Sequence, residues 1–106
     1  MKKQKILKKL ATAGVIAVVR GNSKEEAIQA SQALVAGGIV GLEVTFTVPN
    51  ADQAIATLSA HYQGDEKVVL GAGTVLDAVT ARLAIMAGAE FVVSSTFDQE
   101  TAEICN

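Results

Sequence analysis

The sequence has no tryptophan and only one tyrosine, one proline, one histidine and one cysteine among its 106 residues. The lone Cys105 cannot close an intrachain disulfide or build a multi-thiolate zinc site, which excludes a disulfide scaffold and a thiolate metal centre. No apolar run has the length of a signal peptide or a membrane span. Neither charge sign dominates, with nine Lys and Arg against eleven Asp and Glu. That balance excludes a highly charged disordered chain and a generally basic nucleic-acid binder. The expectation is a soluble, cytoplasmic protein with no membrane and no nucleic-acid partner.

What is present is apolar: half of the chain is hydrophobic by the AVILMFWYC count, enough for a real core in one domain at most, residues 1–106. Charge is unevenly spread. Residues 1–9 hold Lys2, Lys3, Lys5, Lys8 and Lys9 and no acid, whereas four basic and eleven acidic residues follow. Ile6, Leu7 and Leu10 give this basic segment one apolar stripe at helical spacing, and no aromatic is interleaved. It reads as a solvated amphipathic helix over a core edge.

Beyond it, two textures alternate. Val15–Val19, Ile39–Phe46, Val68–Leu70 and Phe91–Val93 are short β-branched or apolar runs of the kind that form buried strands, separated by Ala-rich segments of helical period. Ser23-Lys24-Glu25-Glu26 is a capping box for a helix running to about Ala36, where Gly37-Gly38 supplies a left-handed stop. A second helix is expected from an Asn50 cap, with Ala51, Ala54, Ile55 and Leu58 on one face. Val79, Leu83 and Met86 define a third, ending at Gly88, with Met86 in the core. A fourth is expected after Ser95-Thr96-Phe97-Asp98.

Ala33-Leu34-Val35-Ala36-Gly37-Gly38 is echoed by Ala84-Ile85-Met86-Ala87-Gly88-Ala89, and strand starts recur at a nearly constant pitch. A βα repeat of this kind implies parallel strands joined by right-handed crossovers. It leaves two architectures, an open doubly wound sheet or the first four units of a TIM (β/α)8 barrel.

The strand Leu42-Glu43-Val44-Thr45-Phe46-Thr47 discriminates between them. Leu42, Val44 and Phe46 share one face, and Glu43, Thr45 and Thr47 share the other. Strands covered by helices on both faces read as continuous apolar runs; here one face is polar. In a barrel that face points inward, and active sites gather at the carboxyl ends of the strands. A carboxylate inside a barrel is costly unless hydrogen-bonded or neutralised, and a group tuned near the working pH is what general acid/base chemistry needs. Without chemistry, Glu43 would be held by the internal threonines or by a barrel arginine.

Other polar groups fall at the same rim: Arg20 after the first strand, Thr47 after the second, Gly71-Ala72-Gly73-Thr74 at the third and Ser94-Ser95-Thr96 at the fourth. Arg forks a carboxylate or phosphate, hydroxyls donate, and glycines let backbone amides approach a small anion. Arg20 alone would serve equally as a strand-end ion pair. Gly71 and Gly73 lack the lysine of a P-loop and the third glycine of a dinucleotide fingerprint, so ATP and NAD are disfavoured and no cofactor is expected. His61 falls at the opposite rim, Cys105 on the last helix is packing or exposed, and no clustered His, Cys and Asp set supports a metal.

Gly41-Leu42-Glu43-Val44-Thr45-Phe46-Thr47-Val48-Pro49, then Leu70-Gly71-Ala72-Gly73-Thr74-Val75 and Gly88-Ala89-Glu90-Phe91-Val92-Val93-Ser94, resemble the 2-keto-3-deoxy-6-phosphogluconate / 4-hydroxy-2-oxoglutarate aldolase family. Val15-Ile16-Ala17-Val18-Val19-Arg20 and Ala36-Gly37-Gly38 fit the same pattern. The resemblance implies a (β/α)8 barrel with an N-terminal helix, a homotrimer, and a metal-independent class I aldolase releasing pyruvate from a 2-keto-4-hydroxy acid. It implies Glu43 as the proton-transfer group, Thr74 beside the pyruvyl carboxylate, and Arg20 at the mouth; Thr47, Gly73 and Ser94 are substrate-binding candidates by their place at the rim.

The chain departs from the family at three points. Some members have arginine where Thr47 stands. The family's Ser-Pro becomes Ser94-Ser95, which removes a fixed φ from a rim loop. Its Schiff-base lysine belongs to a later strand, beyond residue 106, so the segment alone is expected to be inactive. Lys67, before the third strand, and Lys24, at a helix start, are not substitutes. A self-associating half-barrel without turnover and another phosphate-binding (β/α)8 enzyme stand as the alternatives.

Overall fold

The alternating textures resolve into nine elements in a computed structural model that describes residues 2–94 and 99–105. In chain order they are α1 (Lys2–Ala13), β1 (Ile16–Val19), α2 (Lys24–Ala36), β2 (Gly41–Thr45), α3 (Ala51–His61), β3 (Val69–Gly73), α4 (Ala78–Ala87), β4 (Phe91–Val92) and α5 (Gln99–Cys105). The strands form one parallel sheet in the order β1-β2-β3-β4. Each neighbour in sequence is a neighbour in space, as short βα connections require.

The register arranges the sheet in transverse rows. Val18, Glu43, Gly71 and Phe91 are successive Cα partners, and the row above them pairs Val19, Val44, Ala72 and Val92. Side chains alternate between faces, so Leu42, Val44, Leu70 and Ala72 point to one side. They join Ala27 of α2, Ala54, Ile55 and Leu58 of α3, and Ala81 and Ala84 of α4 in a single core. The opposite face, carrying Glu43, has no such cover over β1, where Val18 is 51% exposed. Among the described residues, α2, α3 and α4 pack on one face of the sheet, an arrangement that a doubly wound sheet does not have.

Local signals account for the helix ends. The Ser23 hydroxyl accepts the Glu26 amide at 3.1 Å and starts α2. At its far end the Gly38 and Ile39 amides donate to the Val35 and Leu34 carbonyls, a Schellman closure. The left-handed residue is Gly38 alone, at φ +100°, since Gly37 sits at φ −86°. Gly88, at φ +117°, closes α4 in the same way, with Ala89 donating to Ala84. The structural equivalent of Gly88 is therefore Gly38, one residue later than the sequence echo aligns.

Four expectations are corrected. Asn50 precedes α3 in a left-handed conformation, φ 56°, and its side chain caps nothing; it turns the chain after Pro49. The stripe Val79, Leu83 and Met86 faces outward, with Met86 75% exposed rather than core. Small Ala81 and Ala84 form the buried face of α4, letting the helix lie close to the sheet. The helix begins at an Asp77 cap that accepts the Thr80 amide at 2.7 Å. In α1, Leu7 is exposed while Ile6 and Leu10 are half-buried, which narrows the apolar stripe. Finally, β3 runs on to Gly73, whereas β2 starts only at Gly41. The start expected for the last helix, 95–98, lies outside the described residues.

At the amino ends of the strands, Lys9 pairs with Glu90 at 3.0 Å, and Glu90 also accepts the Leu70 amide at 3.2 Å. A second, exposed pair joins Lys5 to Glu66. The basic helix α1 is thus tied to the segments entering β3 and β4. Among the described residues no helix is long and apolar enough to cross a membrane.

Candidate active site

Parallel strands deliver the residues that follow them to one rim. Arg20 comes directly after β1, Thr47 two residues after β2, Thr74 directly after β3 and Ser94 two residues after β4. All four are exposed. The strand ends are tied together: the Phe46 amide donates to the Gly73 carbonyl at 2.6 Å and the Val75 amide to the Val93 carbonyl at 2.9 Å. Ser95 and Thr96 lie outside the described residues.

Glu43 sits below this rim, in the middle of β2, with only 8% of its surface exposed. Its carboxylate has no hydrogen-bond or ion-pair partner among the described residues. Neither of the supports that would make it structural is in place. The Thr45 hydroxyl, itself buried, lies 2.7 Å from the Thr47 hydroxyl, so the two threonines satisfy each other. Arg20 is exposed and makes no ion pair with any described residue.

The carboxylate lies over Gly73. A Cβ built there would collide with Glu43 Oε2 and stand 2.8 Å from its Cδ. Gly73 is buried within β3, and the space that its missing side chain frees is filled by Glu43. Gly71 frees the space below, which the Phe91 ring fills. Expected as rim glycines that expose amides, both instead seat side chains of neighbouring strands. Sequence reasoning missed Phe91 as a neighbour of this site, whereas Thr45 is buried on the face where the alternation along β2 places it.

The lysines lie elsewhere. Lys24 opens α2 and donates to Gln53 at 2.6 Å, Lys67 is exposed before β3, and the rest belong to α1. Among the described residues no group of three or more His, Cys, Asp or Glu side chains converges.

Two clefts, of about 310 and 710 Å³, open at the other end of the sheet. Lys5, Lys9, Tyr62 and Glu90 line the first, and Lys8, Thr12, Val40 and Lys67 the second. They flank α1 at the amino ends of the strands, the face that serves stability in βα architectures. His61 stacks edge-on against Tyr62 there, with ring centres 4.7 Å apart. Burial, and then the Asp65 carboxylate, push the Tyr62 phenol above its ordinary range. Cys105 is exposed on α5, yet partial desolvation raises its thiol pKa, which disfavours the reactive thiolate.

Residues 6–106 match the family model described as KDPG and KHG aldolase. A 2-dehydro-3-deoxy-phosphogluconate aldolase of Treponema pallidum is 41% identical over 100 residues, covering 94% of this chain and 46% of the relative. Among solved structures, the 2-keto-3-deoxy-6-phosphogluconate aldolase of Zymomonas mobilis with 3-phosphoglycerate superposes at a TM-score of 0.77 and 34% identity, over 93% of this chain and 46% of its own. A KDPG aldolase of Legionella pneumophila, with pyruvate captured as a covalent carbinolamine intermediate, superposes at 0.68 and 31% identity, over 84% and 41%. The chain spans about half the length of these relatives.

Proposed function

The chain belongs to the KDPG and KHG aldolase family, and from that membership we propose that it forms the first four βα units of a (β/α)8 barrel acting as a class I, Schiff-base aldolase. The substrates proposed are 2-keto-3-deoxy-6-phosphogluconate, cleaved to pyruvate and glyceraldehyde 3-phosphate, and 4-hydroxy-2-oxoglutarate, cleaved to pyruvate and glyoxylate. The carbinolamine that the Legionella relative holds supports covalent chemistry at the keto carbon. By the family resemblance the lysine that performs it is proposed to lie in sequence after residue 106, and no described lysine pairs with Glu43.

The observation that carries the proposal is Glu43: a residue only 8% exposed, on the face of β2 away from the helices, whose carboxylate has no hydrogen-bond or ion-pair partner among the described residues. Holding a carboxylate so far from water without a protein partner is unfavourable, and a purely structural site would avoid it with Leu or Val. As proton acceptor, Glu43 takes the proton of the C4 hydroxyl while the C3–C4 bond breaks and its electron pair flows to the iminium. The aldehyde leaves, Glu43 returns the proton to C3 of the resulting enamine, and hydrolysis of the iminium releases pyruvate.

Thr74, following Gly73, donates its hydroxyl to the pyruvyl carboxylate, and Arg20 attracts the anionic substrate at the mouth. Thr47 and Ser94 contribute hydroxyls from neighbouring strand ends, and Gly73 leaves room for the Glu43 carboxylate. A cytoplasmic homotrimer acting on a keto acid, without metal or other cofactor, completes the proposal.

The test is borohydride reduction with pyruvate of the full-length protein that contains residues 1–106. A pyruvate-dependent mass increment on a lysine after residue 106 is expected. Glu43→Gln should then lower kcat by about 10²- to 10⁴-fold, the range for a positioned acid/base. An active enzyme with unaltered kinetics in that variant removes the role assigned to Glu43.

A further inference from the structure

Val18, Glu43, Gly71 and Phe91 occupy one row of the sheet and point to the same face. In such a row the side chains compete for the space above the strands. Gly71 contributes none, so two neighbours, Glu43 on β2 and Phe91 on β4, have access to the vacancy above it. The ring takes it: a Cβ on Gly71 would collide with Phe91 Cε2 and Cζ. Glu43, directly across from Gly71, does not lie over its own partner but leans one pleat further along β3. There its Cγ and Cδ come within 3.3 and 2.8 Å of where a Gly73 Cβ would be.

We propose that Phe91 is a positioning residue for Glu43: its ring fills the seat over Gly71 and directs the carboxylate into the seat over Gly73, toward the carboxyl ends of the strands. This inference rests on the reading of Glu43 as the proton-transfer group. It adds the device that sets the direction of that group. The lean matters because a proton acceptor must come within hydrogen-bond reach of its donor, about 2.6–3.2 Å. One full pleat of β3, two residues or about 6.6 Å at about 3.3 Å per residue, separates the seat over Gly71, deep in the sheet, from the seat at the level of Thr45 and next to Thr74. A carboxylate lying over Gly71 would be about one pleat short of the mouth. The second glycine is as necessary as the ring, because any side chain at position 73 would close the upper seat.

The experiment is side-chain NMR on the full-length protein that contains residues 1–106, selectively labelled at phenylalanine, glutamate and glycine. In the unaltered chain, cross-peaks are expected from the Phe91 ring protons to the Gly71 α-protons and from the Glu43 γ-protons to those of Gly73. Phe91→Leu keeps an apolar residue on β4 but has no atoms at the Cε and Cζ positions. In that variant the Glu43–Gly73 cross-peak should fall at least threefold and a Glu43–Gly71 cross-peak should appear. Phe91→Tyr, which restores the ring, should restore the original pattern.

An unchanged Glu43–Gly73 cross-peak in a folded Phe91→Leu chain overturns the inference. So does the absence of a ring-to-Gly71 contact in the unaltered chain, whatever the variants do. In the full-length enzyme, Phe91→Leu should lower kcat about tenfold with KM within twofold. Loss of turnover in Glu43→Gln together with an unmoved Glu43 in Phe91→Leu would sink the positioning role alone. A moved Glu43 together with unimpaired Glu43→Gln turnover would sink the functional reading alone.

Discussion

Replacing Glu43 by methionine is expected to stabilise the chain while removing its proposed chemistry. Only 8% of Glu43 is exposed and its carboxylate has no protein partner among the described residues, yet its oxygens are not fully buried, so the penalty is a part of the about 1–3 kcal/mol that a wholly buried, unpaired polar group costs. Methionine is unbranched and close to glutamate in length, so it follows the same path over Gly73 without branching at Cβ or Cγ. Its thioether and methyl then sit on an otherwise apolar stretch of sheet beside Val18 and Phe91, where they add contact rather than demand a partner. The gain should be up to about 1 kcal/mol, which for a domain of this size is up to about 4–8 °C in Tm. Urea denaturation at neutral pH reads it as a higher midpoint at unchanged m. A variant less stable than the parent by more than about 1 kcal/mol would refute the reasoning, because it would mean that the carboxylate is satisfied in the folded chain. Stability rising as turnover disappears is the behaviour of a site that holds an unfavourable group for its chemistry.

Other outcomes follow from single features. Gly38→Ala places a Cβ at φ +100° and should cost about 1–2 kcal/mol, whereas Gly37→Ala, at φ −86°, should be neutral or slightly stabilising in the same denaturation assay. The hydroxyl of Ser31 is fully buried in α2 without a partner among the described residues, so Ser31→Ala should raise stability by about 0.5–1.5 kcal/mol. Tyr62 is the sole tyrosine and there is no tryptophan, so ultraviolet titration reports on it alone. Its phenol should ionise above the ordinary range, and Asp65→Asn should bring it part of the way back, since burial is the larger cause and the Asp65 charge the smaller. The folded chain then holds a proton that the unfolded chain releases, so stability should fall as pH rises past the ordinary phenol value; an ordinary midpoint would refute the burial.

Much of the fold is legible in the sequence because it is written locally. The Ser23 cap, the apolar face of α3 and the strand alternation around Glu43 each depend on residues a few positions apart, and each is found where the spacing puts it. Legibility fails where two local signals compete or where packing chooses. Val79, Leu83 and Met86 have the right period for a buried stripe, but Ala81 and Ala84 have it too, offset round the helix. The close approach of α4 to the sheet favours the small residues and turns the large ones outward. Asn50 has the chemistry of a cap, yet Pro49 before it and the turn into α3 demand a left-handed residue, which asparagine also supplies.

The site divides in the same way. Period-two alternation places Glu43 on the face away from the helices, but it says nothing of the direction in which the side chain leans. That depends on Gly71 and Phe91, which reach the row of Glu43 only through two successive strand pairings. The segment Gly71-Ala72-Gly73 fixes those pairings as well as using them. A slip of one residue in β3 would bring Ala72 opposite Glu43, put its Cβ where a seat must be, and turn both glycines toward the helices. The pattern glycine, alanine, glycine therefore has a meaning that no phosphate-loop reading assigns to it. Each glycine leaves a space on the Glu43 face, one for a ring and one for a carboxylate, while the alanine between them belongs to the core on the other face.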